Sequence, residues 1–457
     1  MARRLLALLC LTCAAGWSQV VLADDLWQTW QAAQAHDPGY AAAQAQFRAS
    51  QQKVPQARAR LLPRLDAAGG VEHRQDRSTH NFERAGNRQQ ADWALRLTQP
   101  VYDRAAWKQM AQSRLVQTEA ELALEQARQD LMLRVAQAYF DILAAQDTLT
   151  ALQAEQRATT DQLHSAQRRF ELGAATVTDI HEARARLDLL AAQELQLLND
   201  LDIRRDQLAQ MTGRYPDTLS RLPAGLALPA PEPNRIEPWS EQAQSANLAV
   251  LRAQLQSEIA QQSIEIARSG HYPTLSLQAG SSQSTTQRFD EARRGRPIEN
   301  TVGLQLSIPL YSGGGVSAQV EEQVQLQQKA RFEQEAARRQ AIQTVRAQFQ
   351  TLHSGLGRIE ALEAGEASSR AAVEANLIGY EIGVRINLDV LASQQQLYAT
   401  QSTLAQVRYD TLMAGLRLKA AGSTLSEIDL EEINALLARP PESSSPAPSS
   451  SAGNQTE

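Results

Sequence analysis

Helical spacing of apolar residues dominates the chain and defines two very long segments. Residues 103–170 and 316–380 contain no proline and keep apolar or small residues at steps of three and four positions, the spacing of a coiled-coil seam. The seam of the first segment runs through Leu131, Val135, Ala138, Ile142, Ala145, Leu149 and Leu152. At about 1.5 Å per residue, either helix would approach about 100 Å in length. A shorter helical segment follows each of them, at 180–211 and 390–420, so the pattern predicts two long helical hairpins.

Four shorter segments alternate apolar and polar residues with a period of two, which is typical of β-strands. The alternating positions are Leu65, Ala67, Gly69 and Val71; Trp93, Leu95 and Leu97; Leu275, Leu277 and Ala279; and Val302, Leu304, Leu306 and Ile308. We expect four strands of about nine to eleven residues, the length of a strand that crosses a bilayer at a tilt. Because proline lacks a ladder donor, a proline should end each strand on the side of the helices. These prolines are Pro63, Pro100, Pro273 and Pro309.

The whole arrangement occurs twice in the chain. The segment LRLTQPVY at 95–102 returns as LQLSIPLY at 304–311, and the other repeated positions keep an offset of 209 or 210 residues. Each copy contains a helix, two strands joined by a polar loop, and a long helical hairpin; the loops, 73–90 and 281–300, should face outside. The predicted divisions are a signal peptide at 1–23, a first repeat at 24–214, a proline-rich equatorial connector at 215–238, a second repeat at 239–422, a C-terminal equatorial segment at 423–438 and a disordered tail at 439–457.

A matching pair of turns joins the two helices of each hairpin. In both turns an aromatic residue precedes a glycine, Gly173 or Gly383, which can supply the left-handed geometry that ends a helix. An aspartate follows six residues later, Asp179 in the first copy and Asp389 in the second. The second turn alone carries an arginine, Arg385. The two turns therefore occupy equivalent positions in the two repeats but carry different charges.

The N-terminus and the composition indicate a protein that leaves the cytoplasm. Two arginines precede an apolar run at 5–13, and a small-residue site ends at Ala23, which is the plan of a secretory signal peptide. Both cysteines, Cys10 and Cys13, lie within it, so the mature chain has no thiol. The formal net charge of −6 argues against nucleic acid as a partner. No apolar run after the signal is long enough for a membrane-spanning helix.

Two short motifs resemble enzyme signatures but lack required residues. His181 and Glu182 match the start of a zinc-binding HExxH helix, but Ala185 occupies the place of the second histidine, so the metal pair is incomplete. The glycines at 313–315 have no following Lys-Ser or Lys-Thr and fit a strand-to-helix bend better than a phosphate-binding loop. We therefore predict no enzyme activity, cofactor or metal site.

The duplicated module, the junction IPLYSGG at 308–314 and the second turn together resemble the TolC family of outer-membrane efflux proteins. The resemblance covers residues 24 to about 437. It implies a mainly α protein with a membrane β-barrel, in which four strands from each chain of a homotrimer close a twelve-stranded barrel. A long α-helical tunnel would continue the barrel through the periplasm. Closure by other copies also follows from physics, because lipid cannot satisfy the open edges of a sheet.

The resemblance places the two turns at the periplasmic gate of the tunnel. Arg385 and Tyr380 of the second turn would contact Thr178 and Asp179 of the first, and Asp389 would project into the constriction as a ring of carboxylates. Such a ring attracts cations. The family often has a second aspartate three residues later, where this chain has Ala392, so we expect one acidic ring. The alternative is that these threonine and aspartate side chains cap the helices that follow.

The implied function is a passive exit duct in the outer membrane, extending into the periplasm. The absence of a lipid-acceptor cysteine favours the branch that serves type I protein secretion. There, an inner-membrane ABC transporter and a periplasmic membrane-fusion adaptor would deliver an exported polypeptide. Small-molecule or drug efflux is the alternative cargo. A periplasmic coiled-coil scaffold without a pore is the alternative of a different class.

Overall fold

The structure is a computed structural model that describes residues 24–76, 86–216, 218–223, 225–288 and 298–437. The predicted signal peptide, the predicted tail and the tips of both polar loops lie outside these residues. No helix in the described ranges is both long and apolar enough to cross a membrane.

Ten α-helices and four β-strands make up the described chain, and most of it is helical. The helices are α1 (Leu26–His36), α2 (Pro38–Gln51), α3 (Lys53–Ala59), α4 (Arg104–Glu171), α5 (Val177–Thr212), α6 (Ile236–Ala246), α7 (Leu248–Arg268), α8 (Gly315–Glu381), α9 (Asn387–Ala421) and α10 (Glu427–Leu436). The strands are β1 (Arg64–Asp76), β2 (Gly86–Tyr102), β3 (Thr274–Arg288) and β4 (Ile298–Ser307). The two long helices and the shorter helix after each agree with the predicted bounds to within about three residues.

Two sequence-based expectations about these bounds were wrong. Strands β1, β2 and β3 contain 13, 17 and 15 residues, longer than expected, because ladder hydrogen bonds continue into the polar segments beyond the apolar alternation. Strand β2 continues past Pro100, where the β2–β3 register shifts and so accommodates a residue without an N–H donor. Helix α6 begins at Ile236, within about three residues of the predicted end of the connector, with Pro238 in its first turn, where proline is tolerated.

The strands form one antiparallel sheet in the order β1-β2-β3-β4. Alternation puts the apolar side chains on one face, and these remain exposed in the single chain. They include Leu65, Val71, Trp93, Leu95, Val302, Leu304 and Leu306. The other face carries polar residues such as Asp66 and Arg96, which lie directly opposite each other on β1 and β2. Strands β1 and β4 are the edges, and among the residues that the structure describes their outer ladder groups have no partner strand.

The main core lies midway along the helices, where α1, α4, α5, α9 and α10 meet. Here Leu131, Val135 and Ile142 of the predicted seam have no exposed surface, while Ala138 and Leu149 are partly buried. Phe140 stacks on Tyr409 with ring centroids 5.9 Å apart, which joins α4 to α9. The Tyr139 hydroxyl donates to the carbonyl of Ser220 at 3.0 Å and so ties the connector to α4. This core fixes the two hairpins side by side.

Candidate functional site at the hairpin turns

The first turn runs from the end of α4 to the start of α5 and is closed by its own hydrogen bonds. Gly173 has φ of +73°, and the N–H of Ala174 donates to the carbonyl of Arg169 at 2.7 Å. Asp179 accepts from the N–H of Thr176 at 2.8 Å, and its own N–H donates to the Thr176 hydroxyl at 3.3 Å. This capping box confirms the capping alternative for Asp179. Thr178 is exposed beside it.

The second turn has the same backbone but a weaker cap. Gly383 has φ of +82°, and the N–H of Val384 donates to the carbonyl of Gly379 at 2.9 Å. Asp389 accepts from the N–H of Ile386 at a long 3.5 Å. Since Ile386 has no side-chain oxygen, the reciprocal half of a capping box cannot form. The Asp389 carboxylate is therefore held less firmly than that of Asp179.

Arg385 lies against its own turn. Its Nη1 atom is 3.7 Å from Oδ2 of Asp389, and both side chains are partly open to solvent. The stem of the arginine crosses Gly379, where an added Cβ would come within 2.6 Å of the arginine Cγ. Among the residues that the structure describes, Arg385 forms no ion pair with Asp179 in the same chain. The predicted contact of Arg385 with Thr178 and Asp179 stays a prediction.

Tyr380 lies between the two turns and is only 6% exposed. The guanidinium of Arg169, from the end of α4, sits 4.7 Å from the centre of the tyrosine ring, within the range of a cation–π contact. Arg169 also donates to the carbonyl of Glu381 at 3.2 Å. Burial raises the pKa of the Tyr380 hydroxyl, and the negative charge of Asp179 raises it further. The tyrosine thus remains neutral and packs between the hairpins.

The shortest polar link between the turns involves residues that sequence reasoning missed. Asn387, the first residue of α9, has no exposed surface. Its Oδ1 accepts from Nε2 of Gln162 at 2.8 Å, and its Nδ2 donates to the carbonyl of Asp179 at 3.1 Å. We call this set of two hydrogen bonds the tip bridge. The sequence carried one signal for it: an amide at Asn387 where the first copy has Val177.

The α4–α9 interface near the turns mixes polar residues with a small apolar cluster of Leu163, Ala183 and Leu391. Thr159 and Gln162 on α4 and Gln394 on α9 are buried there. Much farther along the same helices, next to the main core, Ser402 donates to Thr148 at 3.1 Å. Hydrogen bonds of this kind can be exchanged for bonds to water at little net cost, whereas separating an apolar core exposes hydrophobic surface. The turn end of the hairpins holds a smaller apolar cluster than the main core does.

Two features define the class of protein. The first is a four-stranded sheet with one exposed apolar face, at one end of the molecule. The second is a pair of helical hairpins, each about 100 Å long, whose turns are held together by polar contacts. This combination defines an outer-membrane channel with a helical periplasmic extension. The chain belongs to the outer membrane efflux protein family, whose sequence profile matches residues 29–214 and 239–422. The family consists of outer-membrane channels and not of enzymes, so the predicted family, fold class and location are confirmed.

Individual relatives match nearly the whole chain. Outer membrane protein TolC of Escherichia coli K12 is 31% identical, and the match covers 96% of this chain and 90% of TolC. The proteases secretion protein PrtF of Dickeya chrysanthemi is also 31% identical, with 94% and 95% covered. Among solved structures, the Campylobacter jejuni CmeC outer membrane channel superposes with a TM-score of 0.75 at 14% identity, covering 90% of this chain and 89% of CmeC.

Proposed function

We propose that three copies of the chain form a passive exit duct for type I protein secretion. An inner-membrane ABC transporter would supply the energy, and a periplasmic membrane-fusion adaptor would connect it to the hairpin turns. The relative PrtF, described as a proteases secretion protein, supports an exported polypeptide as cargo, since it matches over almost its full length. The duct itself needs no catalytic group.

The sheet is the observation that carries this proposal. Four strands with an exposed apolar face cannot remain as an open sheet in lipid, because the ladder groups on β1 and β4 would have no hydrogen-bond partner. Additional copies can satisfy both edges if the sheet closes on itself. Closure also turns the apolar face outward to lipid and the polar face, with Asp66 and Arg96, toward a water-filled lumen.

The paired turns are proposed as the gate of the duct. The tip bridge and the Arg169–Tyr380 contact hold the two hairpins of one chain together. Arg385 of one chain would reach Thr178 and Asp179 of another, and the Asp389 carboxylates would surround the threefold axis. Opening then requires loss of these polar contacts while the core around Phe140 stays packed. The gate is thus a local change at the turn end of a rigid wall.

Small-molecule efflux is the second candidate function. The family description, outer membrane efflux protein, favours it, and a water-filled duct would pass either kind of cargo. The two candidates share the trimer, the barrel and the gate, and they differ only in the transporter that delivers the cargo. Experiments on the duct alone cannot separate them.

The duct proposal predicts that the mature protein fractionates with the outer membrane. In unheated detergent samples it should migrate as a trimer, and heating should convert it to a monomer, because closed barrels resist detergent until heat unfolds them. A periplasmic coiled-coil scaffold would instead appear in the soluble periplasmic fraction at every temperature. Purified trimers should also conduct ions in planar bilayers, which a scaffold would not do.

Deletion of the gene should distinguish the two cargoes. For protein secretion, we expect at least one polypeptide to disappear from the culture medium and to return when the gene is supplied on a plasmid. For small-molecule efflux, susceptibility to a panel of drugs and dyes should rise several-fold while the secreted proteins stay unchanged. A conductance-competent trimer whose loss changes only drug susceptibility would contradict the secretion assignment.

A further inference from the structure

A cavity of about 330 Å³ lies within one chain, where the connector, α6, α8, α9 and α10 meet. We call it the α9–α10 cavity. Most of its wall is apolar and includes Trp239 of α6, Leu352 of α8, Leu416 of α9 and Ile433 of α10. An apolar cavity of about 150 Å³ is enough to hold benzene. The α9–α10 cavity therefore has room for an organic molecule of about a dozen non-hydrogen atoms.

The open space depends in part on Gly415, which lines the cavity from within α9. Glycine in a helix interior is less favourable than alanine. Packing does not require it: apart from its own helix backbone and chain neighbours, no described atom lies within 4 Å of an added Cβ. Gly355 of α8 shows the contrast, since a Cβ there would overlap the hydroxyl of Thr411. Gly415 thus leaves a space that a larger side chain would fill.

Trp239 contributes an aromatic wall whose position is fixed. Its Nε1 donates to the carbonyl of Pro233 at 2.9 Å, and its ring is so close to Gly422 that an added Cβ there would come within 3.3 Å of Cε3. Trp239 is only 6% exposed. Aromatic rings of this kind attract organic cations. Because the wall is already ordered, binding would cost little conformational entropy at this side chain.

Acidic side chains predominate among the charged residues of the α9–α10 cavity. These residues are Glu232 of the connector, Lys419 of α9, and Asp429 and Glu432 of α10. Lys419 forms ion pairs with both acids of α10. Asp429 is buried and also accepts from the N–H of Ser426 at 2.6 Å, whereas Glu232 and Glu432 are exposed. Two carboxylates are therefore open to a ligand, and the excess of negative charge favours a cation.

We infer that the α9–α10 cavity binds a small amphipathic organic cation. The apolar body of the ligand would lie against Trp239, Leu352 and Leu416, in the space that Gly415 leaves open. Its positively charged group would lie toward the carboxylates of Glu232 and Glu432. Burial of the apolar body supplies the affinity, and the charges select a cation over an anion. The site lies within one chain, so the inference does not depend on the proposed duct.

Benzyltrimethylammonium is a suitable probe, because it joins an aromatic body of the right size to one permanent positive charge. Titration calorimetry of the full-length mature protein, purified in detergent, should show saturable binding of this probe. The anion 3-phenylpropanoate has a similar size and should bind at least about tenfold more weakly, because the exposed carboxylates repel it.

Substitutions at Gly415 test the location of the site. Gly415→Leu should abolish saturable binding, because the leucine side chain occupies the space of the ligand. Gly415→Ala should raise the temperature of unfolding, because alanine is the better helix former, and should change the affinity less than about twofold. Uptake of the probe by detergent micelles is the same for every variant, so Gly415→Leu also gives the background.

Substitutions at the exposed carboxylates test the role of charge. Glu432→Gln should weaken binding of the cation about threefold, and the combination with Glu232→Gln about tenfold. Glu431→Gln is the matched control, since Glu431 is exposed on the same helix but does not line the cavity; it should leave the affinity unchanged. These surface changes keep the charge test valid even if Gly415→Leu fails to fold.

Three results would overturn the inference. The first is absence of saturable binding to the wild type, or equal binding to a folded Gly415→Leu variant. The second is an anion that binds as tightly as the cation, or a Glu431→Gln effect equal to that of Glu432→Gln. The third is binding that appears only after residues 439–457 are removed, which would assign the cavity to the chain's own C-terminal segment. None of these results bears on trimer formation or conductance, which test the proposed duct separately.

Discussion

Replacing Asn387 with alanine is expected to raise the mean single-channel conductance of the trimer several-fold. The change removes both hydrogen bonds of the tip bridge, at 2.8 and 3.1 Å, and leaves Nε2 of Gln162 without this partner in a buried site. A buried group left unsatisfied costs about 1–3 kcal/mol. That cost falls on the closed arrangement, because separated turns expose the Gln162 amide to water. The closed state should therefore lose about a factor of ten or more in relative population.

Two further variants distinguish loss of a specific contact that holds the turns together from a general loss of protein stability. Asn387→Asp keeps the oxygen that accepts from Gln162 but cannot donate to the Asp179 carbonyl, so its conductance should fall between those of the wild type and Asn387→Ala. Gln162→Ala combined with Asn387→Ala should bring the conductance back toward that of the wild type, since it removes the amide that Asn387→Ala leaves unsatisfied. Asn199→Ala, on the exposed surface of α5, is the control for loss of an amide.

Planar-bilayer recordings of purified trimers provide the measurement. The heat-modifiable trimer should remain intact in every variant, because the core around Phe140 and Tyr409 is untouched. Wild-type conductance for Asn387→Ala in an intact trimer would contradict the role of the tip bridge. So would an effect of Asn199→Ala equal to that of Asn387→Ala.

The long-range architecture was readable from the sequence because each part has its own period. Apolar residues spaced three and four positions apart predicted the long helices, and alternation of apolar and polar residues predicted the strands. Matching segments 209 or 210 residues apart showed the duplication. The errors arose where polar residues were involved. Ladder bonds do not need apolar side chains, so three strands ran longer than the alternating segments. Likewise, Pro100 could stay within β2 because a register shift lies next to it.

The gate was less predictable because its contacts depend on side-chain direction. The sequence identified Asp179 and Asp389 as equivalent, yet their surroundings differ: Thr176 completes a capping box for Asp179, while Ile386 cannot do so for Asp389. Arg385 lies over Gly379 and meets Asp389 within its own turn. The buried amide of Asn387 joins the turns, and helical periodicity does not specify which polar residue at a helix start points inward.

Because Asp389 is held less firmly than Asp179, we expect a substitution at Asp389 to have the larger effect on ion conduction. Asp389 accepts a long hydrogen bond of 3.5 Å from its own turn, lies 3.7 Å from the Arg385 guanidinium and is partly exposed, so its charge, offset in part by Arg385, can act on ions. In a trimer, three such carboxylates would surround the axis. Asp389→Asn removes all three charges without changing side-chain shape. We expect reduced cation selectivity and weaker block by trivalent cations, measured as reversal potential and block affinity.

The size of this effect follows from Coulomb's law. In water, the electrostatic attraction between a trivalent cation and three carboxylates about 10 Å away is roughly 4 kcal/mol. Screening at about 0.1 M salt reduces this attraction to about 1–2 kcal/mol. Block affinity should therefore fall about tenfold in Asp389→Asn, and the loss should shrink at higher salt. Ala392→Asp, at an exposed position one turn along α9, should have the opposite effect because it adds a second acidic ring.

Two neighbouring residues provide matched controls for the Asp389 ring. Arg385→Ala removes a cation 3.7 Å from the Asp389 carboxylate and should strengthen block, since each carboxylate then loses its local counter-charge. Asp179→Asn makes the same chemical change as Asp389→Asn, but in a carboxylate that caps its own helix; its loss should cost about 1 kcal/mol of helix stability and leave block nearly unchanged. If Asp179→Asn weakened block as much as Asp389→Asn, the acidic ring could not be assigned to Asp389 alone. If Asp389→Asn left block unchanged, its carboxylate would not face the conducting path.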